Sequence, residues 1–314
     1  MVLSVQFGLD DVPFVQLGEH TLRLDLEELD EEYQERSRKE LRETPEVVEN
    51  AIERLKTLLK GEETLNVPID DIPFLTKFLR PCKFYPDSAF RLIKRYYKFK
   101  YKHPELSNNL MPITIKHVLE SDVTAFIPVR LDNGCRMMVI DIGKWNVKEV
   151  SVNDLFRTIM LILEVGMIEP KTQVAGVHVL LDMHGLTLTH IFQFTPSFAK
   201  TALEFIQECV AIRLKGIHVI NQPFIFKMLW AIFKPFIGEK LRKRIFFHGY
   251  DLKSFYAHIS KESLPTAYYG TLDIPELPGT LLADMLLKYD KEFEYCNTIG
   301  YTNEYVKEKA VAVE

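Results

Sequence analysis

The spacing of apolar and polar positions divides the chain near residue 105. From Val47 onward, Val48, Ala51, Ile52, Leu55, Leu58 and Leu59 recur at three- and four-residue intervals, which predicts one face of an α-helix. Thr44-Pro45-Glu46 offers that helix an N-cap, a first-turn proline and a first-turn acid, and Gly61 offers a stop. Asp25 to Arg42 is charged with a sparse apolar stripe. Phe74 to Leu79 presents a further apolar helix face, and Ser88 to Lys102 (SAFRLIKRYYKFKYK) a basic, aromatic one. Strand signal is almost absent from this half.

After Pro104 the period changes. Phe126–Arg130 and Arg136–Ile142 read as strands flanking the turn Asp132-Asn133-Gly134, a hairpin signal. Val152 to Gly166 predicts a buried helix. Val174–Asp182 (VAGVHVLLD) is the continuous apolar run of a strand covered on both faces. Ser197 to Val210 is helical again, and Ile217–Ile220 is a short strand. Alternating strands and helices predict an α/β layer packed behind a helical N-terminal module.

Residues 224–237 stand apart. The segment is apolar nearly all round, interrupted only by Lys227 and Lys234, and Pro235 removes a helical donor near its end. It is too short to cross a bilayer, which takes ~20 apolar residues. Such a helix is either a core helix or a lid with one face on an apolar cavity and the other on lipid. The cations Lys240, Arg242, Lys243 and Arg244 follow at once.

Charge sharpens this contrast. The formal net charge of −5 argues against a general nucleic-acid binder. Residues 1–50 hold 14 acidic and 5 basic side chains, whereas residues 210–249 hold 8 basic and one acidic, Glu239. A local positive field in an acidic protein suits a specific anionic partner. Four dispersed cysteines without a CxxC pattern predict reduced thiols. No basic n-region precedes an apolar core at the N-terminus, and Val2 is incompatible with myristoylation, so a cytoplasmic protein is expected.

Catalytic motifs are missing: no GxSxG, HExxH, GxGxxG or P-loop pattern occurs. His178, Asp182, His184 and His190 in HVLLDMHGLTLTH could include a two-histidine, one-carboxylate metal set on a strand face. Gly185 and the lack of further ligands favour a structural role. The chain is expected to be neither an enzyme nor a holder of metal or cofactor.

A set of ordered segments resembles the Sec14-like CRAL-TRIO lipid-binding family, in the group of α-tocopherol transfer protein and cellular retinaldehyde-binding protein. The segments are FLTKFLRPCKF, RLIKRYYKFK, VIDIGKW, LLDMHGLTLTHIFQFTPSFAK, LKGIHVINQPFIF, FKPFIGEKLRKRIFFHG and LPTAYYG, and the likeness covers roughly residues 45–280. The resemblance implies an N-terminal helical module over 1–105, an α/β lipid-binding domain over 106–279 and a helical tail over 280–314. It implies a hydrophobic cavity and a mobile gate helix at Phe224–Phe236. By the match, the cavity is lined by Phe156, Ile159, Leu163, Val177, Leu181, Leu186, Phe192, Phe194, Phe205, Val210, Ile212, Leu214 and Ile217. Phe224, Met228, Leu229, Ile232 and Phe233 are the gate positions, divided between ligand and bilayer.

Ile159 and Leu163 stand where the tocopherol-binding pattern has two serines, and Leu186 where it has a tryptophan. A less polar or longer lipid, such as a carotenoid or other isoprenoid, is therefore expected to fit better than tocopherol itself, within an isoprenoid class of carotenoid, retinoid or tocopherol-like lipids. Arg213, Lys240 and Arg244 match a phosphoinositide site, with Lys215 beside them; Cys82 stands at a further basic position of that site, next to Lys83. Solvated surface cations are the alternative. The closing YGG of many relatives is Tyr269-Gly270-Thr271 here. The implied protein is a monomeric carrier that exchanges one lipid at phosphoinositide-containing membranes, or a lipid-dependent sensor without transfer.

Overall fold

The structure, a computed structural model, describes residues 3–302. The end of the expected C-terminal tail, 303–314, lies outside the described residues.

The chain opens with strands, which its pattern did not predict. β1 (Val5–Phe7), β2 (Pro13–Leu17) and β3 (His20–Arg23) form an antiparallel meander. Alternation is present in β2, where Pro13, Val15 and Leu17 are buried. Five residues are too few to stand out in an acidic stretch. Helices then follow as expected. α1 (Glu31–Leu41) starts at Asp30, whose carboxylate accepts from the Tyr33 amide at 3.0 Å. α2 (Pro45–Lys60) starts at Thr44, whose hydroxyl accepts from the Val47 amide. After the short β4 (Leu65–Asn66) come α3 (Ile72–Leu79) and α4 (Pro86–Lys102), joined through the packed rings of Phe78, Tyr96 and Tyr97.

The central sheet runs β5 (Thr124–Phe126), β6 (Arg136–Asp141), β7 (Val177–Asp182), β8 (Leu214–Ile220) and β9 (Ile245–Gly249), in chain order. β5 and β6 are the antiparallel hairpin, and every later neighbour is parallel. α5 (Val152–Ile168) connects β6 towards β7, capped by the Ser151 hydroxyl on the Asp154 amide. The apolar run expected as one strand from Val174 begins as a short helix, α6 (Pro170–Ala175). Gly176, at φ 95°, ends it, and a Cβ there would collide with the Arg213 carbonyl. α7 (Pro196–Glu204) runs on into a wider π-helical turn, Phe205–Cys209. α8 (Phe226–Phe233) and a tight turn at Lys234–Phe236 precede β9.

Because side chains alternate across a strand, one sheet face sends Met138, Val179, Ile217 and Ile245 towards α5, α7 and α8. The other face sends Met137, Val139, Leu180 and Ile220 into a second core with Tyr33, Leu41 and Phe255. α9 (Leu252–Tyr256) lies on that side. α10 (Gly279–Leu286) and α11 (Asp290–Asn297) lead to β10 (Gly300–Tyr301), which pairs with β4. The C-terminal segment therefore closes on the N-terminal module. The meander is tied to the sheet by Glu169, which is buried and bonds Arg136 at 2.7 Å, Arg130 at 3.3 Å and the Asp25 amide at 2.9 Å. Burial works against its charge, but the two arginines win and hold its carboxyl below the usual range.

Candidate functional site

Between the sheet and helices α5, α7 and α8 lies a cavity of about 240 Å³. Water occupies ~30 Å³ in the liquid and needs two to four polar partners. The lining here is aliphatic, methionine or aromatic throughout, so the space suits apolar matter. α5 contributes Phe156, Ile159 and Leu163, at helical spacing; β6, β7 and β9 contribute every second residue, and β8 contributes Leu214, Ile217 and Val219 across a register shift. α8 closes the cavity with Phe226, Leu229, Trp230 and Phe233. Phe233 packs on Phe194 with ring centroids 5.5 Å apart, and Trp230 on Phe247 at 4.8 Å. The opposite face of the same segment is open: Phe224 is 81% exposed and Met228 47%. Lys227 sits over the Phe224 ring at 4.4 Å. Among the described residues no helix is long and apolar enough to cross a membrane.

Just beyond α8 the helical turn Glu239–Arg242 carries Leu241 into the cavity wall and Lys240 outward. Neither Lys240 nor Arg244 has an acidic partner within 4 Å among the described residues. Lys240 shares the electrostatic surroundings of Cys82 with Arg91 and Arg95 of α4; burial, the larger effect, pushes that thiol up to about 11. Arg213 and Lys215 are differently placed. Both turn to Glu40 of α1, at 2.6 and 3.6 Å, and Arg36 holds the same carboxylate at 2.8 Å. Burial raises the Glu40 pKa, but bonds from Arg213 and Arg36 outweigh it and bring it to about 2. Burial also lowers the Lys215 pKa.

The histidines do not gather as their spacing suggested. Asp182 accepts from the Tyr269 hydroxyl at 2.9 Å, from Asn221 at 3.0 Å and from the His184 amide at 2.9 Å. His190 bonds the Trp145 carbonyl. His178 instead meets His218 at 3.0 Å, His218 meets His248 at 3.1 Å, and His248 meets the Ser254 hydroxyl at 2.9 Å. This ladder crosses β7, β8 and β9 on the face away from the cavity. Among the described residues, no three side chains of His, Cys, Asp or Glu converge as a metal site.

Comparison with known proteins follows the same architecture. Residues 120–270 match the CRAL/TRIO domain. The chain is 34% identical over 274 residues to alpha-tocopherol transfer protein-like of Homo sapiens, covering 86% of this chain and 79% of that protein. The chain belongs to the CRAL/TRIO family. Clavesin-1 of Rattus norvegicus is 31% identical, over 87% of this chain and 77% of its own. Clavesin-2 of the same organism is also 31% identical, over 87% and 85% respectively.

Against this CRAL/TRIO frame the expected site residues fall into two groups. Phe156, Ile159, Leu163, Leu181, Phe194, Val210, Ile212, Leu214 and Ile217 line the main cavity. Val177, Leu186, Phe192 and Phe205 do not. Val177 borders a second, smaller void. Leu186 is packed with Val118, Ile142 and Trp145. Phe192 is 71% exposed. Phe205 is turned by the π-helical stretch among Tyr96, Phe99 and Phe156. Of the gate positions, Leu229 and Phe233 line the cavity, Phe224 and Met228 face out, and Ile232 packs on the neighbouring core beside Leu229.

Several positions were missed. Ile140, Val219 and Phe247 line the cavity, but in runs apolar throughout, alternation does not say which parity faces which way. Arg91 and Arg95 were legible only as an i, i+4 basic pair on α4.

Proposed function

We propose that the protein is a carrier that holds one apolar, isoprenoid-type lipid in the cavity and exchanges it at membranes bearing phosphoinositides, without bond chemistry. The observation that carries this reading is the pairing, on α8 and the turn that leads into it, of an inward face sealing an apolar cavity with the exposed side chains Phe224 and Met228. The name of the tocopherol transfer protein-like relative supports a lipid cargo of the same kind. Ile159 and Leu163 offer no hydroxyl to the cavity, which favours carotenoid- or retinoid-like cargo over tocopherol itself. Burying several hundred Å² of such a lipid at ~25 cal/mol/Å² supplies on the order of 10 kcal/mol before ordering costs.

A cargo held that firmly needs a trigger for release. Phe192 and Leu188 are exposed apolar side chains as well. Lys240 and Arg244 have no acidic partner among the described residues, and Lys240 shares the surroundings of Cys82 with Arg91, so these cations are the candidates to meet a phosphoinositide headgroup. Partition of α8 into the membrane interface would then open the cavity.

The test is lipid transfer between vesicles, with and without phosphatidylinositol bisphosphate in the acceptor. The wild type should be stimulated by the phosphoinositide. The double substitution Lys240→Glu with Arg244→Glu should lose that stimulation while binding cargo in solution as before. Equal stimulation of both proteins would remove these cations from the mechanism. Binding of an isoprenoid without any transfer would favour a lipid sensor over a carrier.

A further inference from the structure

A second void of about 40 Å³ lies behind the main cavity, under β3 and α10. Four side chains, Met138, Leu163, Val179 and Ile212, border both spaces, so the partition between them is one side chain thick. The far wall is Leu22 of β3 and Leu24 just after it, with Leu282, Met285 and Leu286 of α10, all buried. This wall comes from outside residues 120–270, the stretch that matches the CRAL/TRIO domain. On the near side, Gly166 leaves room for the partition: a Cβ there would stand 3.0 Å from Ile212 Cδ1. The Arg136–Glu169 pair borders the void with its charges satisfied, so it offers an added ligand group nothing to bond.

We infer that this void is a second chamber for the distal end of a long apolar chain, with Leu163 and Ile212 as the partition that sets cargo length. The inference rests on the carrier reading above and adds a specificity determinant to it. The chamber takes hydrocarbon only. Its void has room for a water yet is lined almost wholly by carbon. Truncating Ile212 would join the two spaces and admit a longer chain. Each further methylene buried would raise affinity about fourfold, since burial of one CH₂ is worth ≈0.8 kcal/mol. Filling the chamber from α10 would reverse that gain.

The experiment measures binding of all-trans prenols of 15, 20, 25 and 30 carbons by native mass spectrometry, in wild type and variants. Ile212→Ala should shift preference to the next longer prenol, with a gain of at least tenfold relative to the shorter one. Adding Met285→Trp should restore the wild-type preference; Leu282→Phe takes its place if thermal melting shows that the tryptophan variant is unfolded. An unchanged length preference in Ile212→Ala would overturn the inference, as would a gain that persists when the chamber is filled. Failure of the wild type to bind any prenol would instead overturn the isoprenoid carrier reading, and the chamber with it.

Discussion

Glu40 is the residue on which the cationic surface turns. It neutralises Arg213 and Lys215 from within, so the cation that the family likeness assigned to a headgroup and its basic neighbour are both held by an acid on α1. No spacing rule links Glu40 to Arg213, which lie far apart in the chain and meet only through the packing of α1 beside the sheet. Replacing the acid should release both cations. A basic side chain near an anionic membrane surface is worth about 1 kcal/mol. Glu40→Gln should therefore tighten binding to phosphoinositide vesicles by roughly fivefold or more at low salt, with the gain shrinking as salt rises. Vesicle co-sedimentation measures it. Unchanged or weaker binding would mean that Arg213 and Lys215 do not face the membrane.

At the scale of elements, α8 shows how one apolar helix divides its work. Phe233 and Leu229 point inward, Met228 outward together with Phe224 in the turn before the helix, and Ile232 packs sideways on the neighbouring core. The composition of the segment predicted a helix with little polar surface, but not this partition. Phe224→Asp should weaken vesicle association while leaving cargo retention in solution near wild type, because its ring is exposed. Phe233→Asp should lose cargo itself, since a carboxylate would replace a ring that seals the cavity against Phe194. Comparing vesicle binding with cargo retention checks both. Loss of cargo in Phe224→Asp, or full retention in Phe233→Asp, would reverse the assigned faces.

At the scale of the whole molecule, the histidine ladder joins three strands of the central sheet. Burial is the main cause that lowers the pKa of His178 to about 4 and of His218 to about 3, with Lys215, His258 and the other rungs adding to it; His248 is lowered as well, chiefly by burial. In the unfolded chain these groups titrate near ~6.5. As pH falls through that value the unfolded chain takes up protons that the folded one refuses. The stability is therefore complete above ~6.5 and lost progressively below it, with a limiting slope of about 1.4 kcal/mol per pH unit for each such histidine. Glu40, held low, loses its contribution only below ~4.5, so it does not add to a fall between pH 6.5 and 5. The thermal midpoint should fall across that window, and less steeply in His218→Gln. Equal midpoints at pH 7 and 5 would show that the ladder accepts protons while folded.

Local rules were enough for much of this protein. Thr44-Pro45 and Ser151 mark helix starts, Asp132-Asn133-Gly134 a hairpin and the run through Leu180 a covered strand, because caps, turns and periodicity act within a few residues. The ordered motifs made the family legible, and with it a cavity and the helix that closes it. Tertiary structure alone decided the rest. Which of two apolar parities on β6 or β8 faces the cavity depends on what packs on each side of the sheet. Phe205 left the cavity because α7 widens into a π-turn, and Gly176 moved the start of β7 because the Arg213 carbonyl comes close. His178 found His218 and Arg213 found Glu40 because strand order and helix packing bring remote residues together. Contacts between residues distant in sequence depend on how the layers close, and neither periodicity nor composition records that.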